Sequence, residues 1–573
     1  MSADGGRGVL PAPLRESGAE VAERTRAAWG HRAPDLVLSG ARVLLGSGEF
    51  VRRDVAVVGQ RIVAVAEELS APGEEVIDLS GKVLVPGYFE PHTHTLGPLS
   101  IGSYCSQALV HGTTGVMSDD SFLYGFMPPE RYGEIFELSQ RLPLVLRWSL
   151  RLEPPRRVPL STIATLIDRT VIGQIGEVMT RPVLDDPPAE VADLIAAARS
   201  RGLRVEGHSP GASARTLGVA AAAGITADHE GRRGEDVIER LRAGLWAFIR
   251  YTDMLRDAPA IIATLLESGV SLERTGFTTD WSLPPWIAHR GIIDAVIDVA
   301  LEAGMPAEQA YACASQRPAT YLGLDAHFGL VAPGRLASVN VLHDTAEPRP
   351  HRVFSLGREV ARDGELLVEV PDIDWEAAGA PPWSERAAGP VASTYRRHDD
   401  DPAIALEEAA VVHEGRGSGG GAPIACVALD TVTGTFTRAA IYGLPERLEG
   451  IASTLTPRRL LVAAGADPKA VERCVDAVIA AGGGIAYQHQ GELRELPLPV
   501  GGVLTVAPFE TVLSYWEETE RHFRSLGHEM PDPLSTLLYI ASDSLPGARF
   551  TAQGLLETRS GRLIEPSRKA EWK

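Results

Sequence analysis

Cysteine is scarce and widely spaced in this chain. The 573 residues include four cysteines, Cys105, Cys313, Cys426 and Cys474, and no Cys-x-x-Cys pair occurs. A disulfide framework or a thiolate zinc cluster needs cysteines in close groups. The pattern is typical of buried thiols, and we expect a cytoplasmic location.

Long apolar runs and an excess of basic residues are also missing. No run of about 18 apolar residues occurs, so we expect no membrane-spanning helix. Residues 1–24 are rich in glycine and charge without an apolar core, so we expect no secretory signal. The net charge is −20, with 55 basic against 75 acidic residues. Nucleic acids and anionic membranes bind basic faces, and neither is an expected partner.

Apolar residues are nevertheless plentiful enough for several hydrophobic cores. They make up 44% of a chain that is too long for one core. After an N-terminal extension at 1–34, short β-rich runs separated by Gly, Ser and Pro turns fill residues 35–85 and 325–370. These two distant segments predict one small β-sandwich.

Residues 86–324 alternate strand-like and helix-like segments, which is typical of parallel βαβ units. A length of about 240 residues suits a (β/α)8 TIM barrel, for which about 250 residues are usual. The barrel is therefore predicted as an insertion into the β-sandwich. Its predicted strands are 82–85, 115–117, 144–148, 171–177, 203–206, 225–227, 247–250 and 271–279, and its clearest helices are 188–200, 212–223, 234–243 and 258–268.

The remaining chain predicts a further domain. Residues 371–421 are rich in proline, glycine and charge, which indicates a linker or a surface excursion. Residues 422–573 mix strands with two long helices, at 468–481 and 510–526. The predicted fold class is α/β, with a TIM barrel inserted in a small β-sandwich and a separate C-terminal α+β domain.

Histidines and carboxylates follow five of the predicted barrel strands. The first strand leads through Pro-Gly into His92-Thr93-His94, and positions i and i+2 of a strand point the same way. Enzymes on this barrel work at the C-terminal ends of the strands, so these side chains would share one rim. The other strand ends carry Glu177, His208, His229 with Glu230, and Asp280.

The joint pattern predicts a metal centre. A lone strand-end glutamate is usually solvated and a lone histidine usually makes ordinary hydrogen bonds, but a gathering of both is hard to obtain by chance. Imidazole with carboxylate suits zinc, iron or manganese. Two divalent ions would activate a water molecule as the nucleophile. The predicted ligands are His92, His94 and Asp280 for one ion and His208 and His229 for the other, with Glu177 bridging them.

Two carboxylates are predicted to be catalytic. Asp280 can bind a metal ion and also accept and deliver a proton, if its environment sets its pKa suitably. Glu230 follows a ligand directly and could protonate a ring nitrogen or the leaving amine of a substrate. A supporting or surface role for Glu230 is the alternative.

The order of these motifs resembles the amidohydrolase superfamily, and more closely the bacterial adenine deaminases. The resemblance covers about residues 35–345 and 422–560, and Glu177 matches the family's bridging glutamate. It implies a metal-dependent deaminase of adenine or a related heterocycle that releases ammonia, with two Mn, Fe or Zn ions, in a homo-oligomer. The motifs that carry it are residues 86–94, 176–179, 206–211, 226–230, 243–250, 482–484, 495–502 and 530–533.

Three departures from the family touch the substrate rather than the metals. Trp281 replaces a usual second acidic residue after strand 8, and it could stack on a planar ring or simply pack. The family's Asp-Pro-His-Glu loop reads Asp-Asp-Ser-Phe here, and Asp119 and Asp120 could hydrogen-bond an amino-heterocycle or be solvated. Residues 454–460 lack the family's His-Asp-Ser-His-Asn run. We therefore expect deamination of a purine-like ring, with adenine itself an open choice.

Two rival functions stay open at this point. The same metal site could open a cyclic amide or imide, and ammonia release separates that reaction from deamination. A non-catalytic relative that binds a ligand is disfavoured because all six ligand positions are filled, and metal analysis tests it.

Overall fold

The computed structural model describes residues 14–570, apart from residues 70–72, 153–157, 180–183, 185–186, 384–389, 391, 409–410, 417–420 and 529–531. Residues 1–13 of the predicted extension and parts of the predicted linker lie outside the described residues, as does part of the motif at 530–533. The chain divides into two compact units. One comprises Met1–Thr95, Tyr104–Asp120 and Tyr132–Ile373, and the other Leu96–Ser103, Ser121–Arg131 and Asp374–Lys573.

A nine-stranded mixed sheet in the first unit joins the two predicted β-rich segments. Its strands are β1 Leu36–Leu44, β2 Phe50–Val58, β3 Arg61–Ala66, β4 Glu75–Asp78, β5 Val83–Pro86, β14 Val339–Leu342, β15 Arg352–Ser355, β16 Arg358–Arg362 and β17 Glu365–Leu366. The order is β17-β16-β15-β14-β5-β1-β2-β3, and β4 also pairs with β1. Buried aliphatic residues of the early and late strands, such as Val43, Leu84 and Val341, share one core.

Eight parallel strands in the same unit form the barrel, hydrogen-bonded in chain order. They are β6 Tyr88–Thr93, β7 Thr113–Ser118, β8 Val145–Arg151, β9 Ile172–Met179, β10 Arg204–His208, β11 Ala227–Asp228, β12 Trp246–Arg250 and β13 Thr275–Thr278.

The first and last barrel strands nearly close the cylinder. The N–H of His94 donates to the carbonyl of Asp280 at 2.8 Å. The buried carboxylate of Glu90 accepts from the N–H and the hydroxyl of Thr279, at 2.9 and 2.7 Å. These bonds satisfy polar groups that burial would otherwise make costly. The predicted TIM barrel is confirmed.

The predicted first barrel strand, 82–85, is wrong. That run is β5 of the nine-stranded sheet, and the barrel begins one element later, at Tyr88. Its continuous apolar pattern suits a buried strand of either sheet, so periodicity alone could not separate them. Gly87 lies at the step between the two sheets, where a Cβ atom would come 2.1 Å from Thr114 Oγ1. The other seven predicted barrel strands overlap the observed ones.

The predicted barrel helices are observed within two residues of their expected ends. Ser213 caps one of them by accepting from the N–H of Thr216, and Gly224 ends it with φ 101°. The helices outside the C-terminal segment are α1 Gly18–Ala28, α2 Ile101–Val110, α3 Ser121–Phe126, α4 Tyr132–Leu138, α5 Leu160–Leu166, α6 Ala189–Ser200, α7 Ala214–Ala223, α8 Gly234–Arg242, α9 Ala258–Ser268, α10 Pro284–His289, α11 Ile293–Glu302, α12 Ala307–Ala314 and α13 Gln316–Tyr321.

The second unit has its own sheets and helices, as the α+β prediction requires. Its strands are β18 Ala403–Glu408, β19 Val411–Glu414, β20 Ile424–Asp430, β21 Thr435–Tyr442, β22 Gly450–Ser453, β23 Leu461–Gly465, β24 Gly484–His489, β25 Glu492–Pro497, β26 Ala548–Thr551, β27 Gly554–Glu557, β28 Arg562–Pro566 and β29 Arg568–Lys569. Its long helices are α14 Pro468–Ala480, α15 Phe509–Ser525 and α16 Pro533–Ile540.

The larger sheet of this unit runs β19-β18-β21-β20-β23-β22-β24-β25, with β29 beside β21. Apolar residues of α14, including Val471 and Val475, share a core with Val427 and Leu461 of that sheet. Thr505 donates its N–H to the carbonyl of Pro98 at 3.0 Å, so the segment at 96–103 packs with this unit. Within the described residues, no helix has the length and apolar character needed to cross a membrane.

Candidate metal centre and active site

One buried carboxylate orients two of the predicted metal ligands. Nδ1 of His92 donates to Glu206 Oε2 at 2.7 Å, and Nδ1 of His229 donates to Glu206 Oε1 at 2.9 Å. A histidine that donates from Nδ1 presents the lone pair of its Nε2 on the other side. Both Nε2 atoms are therefore set to bind a metal ion.

His94 is fixed in the same way by the backbone. Its Nδ1 donates to the carbonyl oxygen of Asp119, and its Nε2 lies 3.2 Å from Asp280 Oδ1. Nε2 of His92 lies 3.4 Å from the same oxygen. The ends of the first and last barrel strands thus bring two imidazoles and one carboxylate oxygen together.

Glu177 lies between the two predicted ion positions. Its Oε1 faces His92, His94 and His229, with Nε2 atoms at 3.4, 3.9 and 3.8 Å. Its Oε2 lies 3.1 Å from Nδ1 of His208. Oε1 thus faces both histidines of the first predicted position and His229 of the second, and Oε2 faces His208. Contact with both pairs of histidines is the arrangement expected of a bridging ligand.

Backbone strain marks two of these ligands. Glu177 has φ 52° and Asp280 has φ 63°, in the left-handed region that residues with a side chain rarely adopt. Such strain costs about 1–3 kcal/mol and persists where the surrounding structure holds it, often at functional sites. Glu177 lies near the end of β9, and Asp280 lies two residues after the end of β13.

The donor atoms fit divalent metal ions. Nε2 of His92, Nε2 of His229 and both ring nitrogens of His208 are buried and have no hydrogen-bond partner among the described residues. Four sets of three or more ligand atoms lie within 4.8 Å of one another, and all six predicted ligands occur among them. Buried nitrogens left without partners are costly, and metal ions would satisfy them.

Protons compete with metal ions at these nitrogens. Burial opposes protonation of His92, but the carboxylates of Glu206, Asp280 and Glu177 outweigh burial and raise its pKa. Metal ligands must be deprotonated to bind. The affinity for metal ions is therefore expected to fall as the pH is lowered.

A buried arginine joins the two predicted catalytic carboxylates. Arg250, at the end of β12, donates to both oxygens of Glu230 at 2.8 Å and to Asp280 Oδ2 at 2.7 Å. Burial favours the neutral acid, but Arg250 together with His208 and His229 lowers the pKa of Glu230. Burial likewise opposes ionisation of Asp280, and its histidine and arginine contacts lower its pKa well below the usual range.

A second buried arginine contacts Glu177. Arg151, the last residue of β8, is paired with Asp119 Oδ1 at 2.8 Å and with Glu177 Oε2 at 3.2 Å. Gly176 makes room for this pair, because a Cβ atom there would lie 2.0 Å from Asp119 Oδ2. Burial raises the pKa of Asp119 although Arg151 opposes the rise.

The structure places the other predicted substrate residues near this rim. Asp120 is buried and accepts from the hydroxyl of Thr95 at 3.1 Å. Trp281, which follows Asp280 in the sequence, is largely buried. Its backbone N–H donates to the carbonyl of Thr279 at 2.7 Å. The proposed stacking of Trp281 on a planar ring stays a prediction.

Sequence reasoning did not assign three residues of the centre. Glu206 precedes ligand His208 by two positions on a strand, and this same-side spacing could have shown it. Arg151 and Arg250 end apolar strands at the catalytic rim, where a buried cation signals acidic partners. Their partners could not be read from the sequence.

Comparison with known proteins gives the family. The amidohydrolase family matches residues 153–360, and the adenine deaminase C-terminal domain matches residues 405–562. The chain therefore carries an amidohydrolase domain and an adenine deaminase C-terminal domain, and it is a hydrolase that acts on carbon–nitrogen bonds.

Within that class the chain resembles adenine deaminases along nearly its whole length. Adenine deaminase from Methylobacterium nodulans is 29% identical over 579 residues, 95% of this chain and 100% of the relative. Adenine deaminase from Moorella thermoacetica is 26% identical over 602 residues, 96% and 99% of the two chains. A protein from Halalkalibacterium halodurans, provisionally named as an adenine deaminase, is 28% identical over 568 residues, 94% and 96% of the two chains. The predicted resemblance is confirmed.

Proposed function

We propose that this protein is a binuclear metal-dependent deaminase that hydrolyses an amino group from adenine or a related amino-heterocycle and releases ammonia. The observation that carries the proposal is the convergence of six ligand side chains from five barrel strands, with orphaned histidine nitrogens between them. The relatives named adenine deaminase support the same reaction. Two manganese, iron or zinc ions are the proposed cofactors.

Divalent ions in this centre would lower the pKa of water and polarise the ring carbon under attack. Asp280 is placed to move the proton. Its Oδ1 faces His92 and His94 and its Oδ2 is held by Arg250, so its carboxylate has a fixed orientation toward the histidines that would hold the metal ion. We assign to Asp280 the uptake of the water proton and its delivery to the departing amine.

The reaction balances without an oxidant or a reductant. The oxygen of water bonds to the amino-bearing ring carbon, the carbon–nitrogen bond breaks, and the nitrogen leaves as ammonia with the proton that Asp280 returns. The second proton of the water ends on the ring nitrogen beside that carbon. The ring carbon then carries a carbonyl group in place of the amine.

Glu230 is proposed to contact the substrate as an acceptor. The two-pronged contact with Arg250 holds both of its oxygens, which favours the carboxylate over the acid. A carboxylate accepts an N–H of a heterocycle rather than protonating a ring nitrogen. Asp119, Asp120 and Trp281 are proposed to line the substrate side of the centre and to set which ring is accepted.

Ammonia release by manganese- or iron-loaded protein tests the proposal against aminopurines, aminopterins and cyclic amides. Release from adenine supports adenine deamination. Release from another amino ring, with adenine inert, would indicate a changed substrate specificity, which we would attribute to Trp281 and residues 118–122. Ring opening of a cyclic amide without ammonia would replace deamination by the rival hydrolysis. Metal-free protein that binds a ligand with full affinity and releases no ammonia would support a non-catalytic relative.

The bridging role of Glu177 gives a sharper variant. Glu177→Gln should abolish ammonia release and lower the metal content, because an amide is a poor bridging ligand. Glu190→Gln changes an exposed glutamate in α6 and should leave both quantities unchanged. Normal turnover by Glu177→Gln would show that the bridge is misassigned.

A further inference from the structure

The two buried arginines approach the metal centre unequally. On Glu177, Oε1 faces the Nε2 atoms of His92 and His94, whereas Arg151 approaches Oε2 at 3.2 Å. On Asp280, Oδ1 faces the same two histidines, whereas Arg250 holds Oδ2 at 2.7 Å. The first ion position, between His92 and His94, is thus served by the carboxylate oxygens that point away from the arginines.

The second ion position differs on its His208 side, although Nε2 of His229 lies 3.8 Å from Glu177 Oε1, the oxygen that also faces the first position. Nδ1 of His208 lies 3.1 Å from Glu177 Oε2 and 3.2 Å from Glu230 Oε1. Arg151 approaches the first of these oxygens at 3.2 Å, and Arg250 approaches the second at 2.8 Å. Both carboxylate oxygens nearest to His208 are therefore already occupied by guanidinium groups.

A metal ion beside these oxygens meets two costs. It must compete with charge-assisted hydrogen bonds, which are about twice as strong as neutral ones. It also lies near a fixed positive charge in a buried site, where repulsion is screened less than in water. The first position avoids the competition, because the arginines contact the other oxygen of each of its carboxylates.

We propose that the two metal positions differ in affinity, and that Arg151 weakens binding at the His208–His229 position by holding Glu177 Oε2. The inference rests on the proposed metal centre and adds the order in which its two positions bind metal ions. The first ion binds tightly at His92, His94 and Asp280, and the second binds and exchanges more readily. Activity then follows the concentration of free metal ion through the second position.

Calorimetric titration of metal-stripped protein with manganese, together with metal analysis after dialysis, tests the proposal. The unaltered protein should retain about one ion per chain. It should also show a second class of metal-binding site whose affinity is at least about tenfold weaker, or about 1.4 kcal/mol. Arg151→Met should tighten the second class by about tenfold or more and raise the retained metal toward two ions. His208→Asn should remove the weak class alone, and His94→Asn should remove the tight class.

Arg147→Met provides a matched control. Arg147 lies in the same strand, β8, and donates to the backbone carbonyls of Thr170 and Ile172 instead of to a carboxylate. Its replacement should leave both classes unchanged. If Arg151→Met does not fold, the histidine variants still decide whether two unequal classes exist, and Arg151→Lys should give an intermediate ratio because it keeps the charge without the fork.

Two results would overturn the inference. One is a pair of ions with equal affinity in the unaltered protein, and the other is an unchanged ratio in Arg151→Met. Neither result depends on turnover. Two unequal classes without ammonia release from any substrate would leave this inference standing and overturn the proposed function, whereas equal classes with ammonia release would do the reverse.

Discussion

Glu206 shows how a single residue outside the ligand set controls the ligands. Its two oxygens accept from Nδ1 of His92 and Nδ1 of His229, and Gln174 donates to it at 3.1 Å. Both imidazoles are held in one tautomer and one orientation by the same carboxylate. Partners of this kind matter to metal affinity nearly as much as the ligands themselves.

Glu206→Gln should weaken metal binding by about 10–100-fold. Glutamine keeps the shape but has one acceptor oxygen, so its NH2 group would face an imidazole N–H and one histidine would lose its orientation. Calorimetric titration with manganese measures the change. An unchanged affinity would mean that the strand positions alone orient His92 and His229.

At the scale of elements, the end of β9 depends on the small size of Gly176. Asp119 Oδ2 and Ser149 Oγ occupy the space beside Gly176. A Cβ atom at this position would lie 2.0 and 2.1 Å from them. Strand β9 continues through Glu177, which has φ 52°. The ligand and the arginine pair beside it both depend on this space.

Gly176→Ala should destabilise the protein by about 1–3 kcal/mol, the usual cost of overpacking a core. It should also reduce metal content, because the displaced Asp119 carries the carbonyl that holds His94. Gly218→Ala in α7 is the control, since nothing lies within 4 Å of its Cβ position. Urea unfolding compares the two variants, and equal stabilities would contradict the packing argument.

The β15–β16 hairpin contains a group of ion pairs whose contribution to stability depends on pH. Arg352 and Arg362 each donate two hydrogen bonds to Glu359. Burial opposes ionisation, but these arginines lower the pKa of Glu359 to about 2, from 4.5 in the absence of such contacts. A depressed pKa stabilises the fold above the unfolded value, and this stabilisation is lost as the pH falls from 4.5 toward about 2.

Glu359→Gln should therefore lower the free energy of unfolding by up to about 1 kcal/mol at pH 7, allowing for solvent screening. The difference from the unaltered protein should shrink below pH 4.5. Urea unfolding of both proteins at pH 7, 5 and 3 measures it. A difference that stays constant over this range would show that ionisation of Glu359 contributes nothing.

At the scale of the whole molecule, the proposed metal centre would couple metal binding to the stability of the fold. Ligands that meet only in the folded barrel bind the native protein and not the unfolded chain. A free ion at 100 times its dissociation constant then adds about 2.7 kcal/mol to the free energy of unfolding.

Chelation should lower the midpoint of thermal unfolding, and added manganese should restore it. Differential scanning fluorimetry of stripped and reloaded protein measures this shift. Glu177→Gln should show a smaller shift because it has lost the bridging ligand. Identical midpoints with and without metal ion would contradict a metal centre formed by folding.

Much of the metal centre could be predicted from the sequence because its signals are local. Alternation along a strand placed His92 and His94 side by side, and parallel strands put Glu177, His208, His229 and Asp280 at one rim. The helices α6 to α9 were predicted from the alternation of strand-like and helix-like segments. The order of these motifs also gave the family.

Other features depended on contacts between distant segments. Glu206 and His92 are 114 positions apart, and the partners of Arg151 and Arg250 come from other strands, so only the closed barrel brings these charges together. The same holds for residues 83–85, whose apolar pattern fits either sheet. Residue types and strand order are thus written in the sequence, whereas strand partners and buried ion pairs are decided by the tertiary structure, because they join residues that are far apart along the chain.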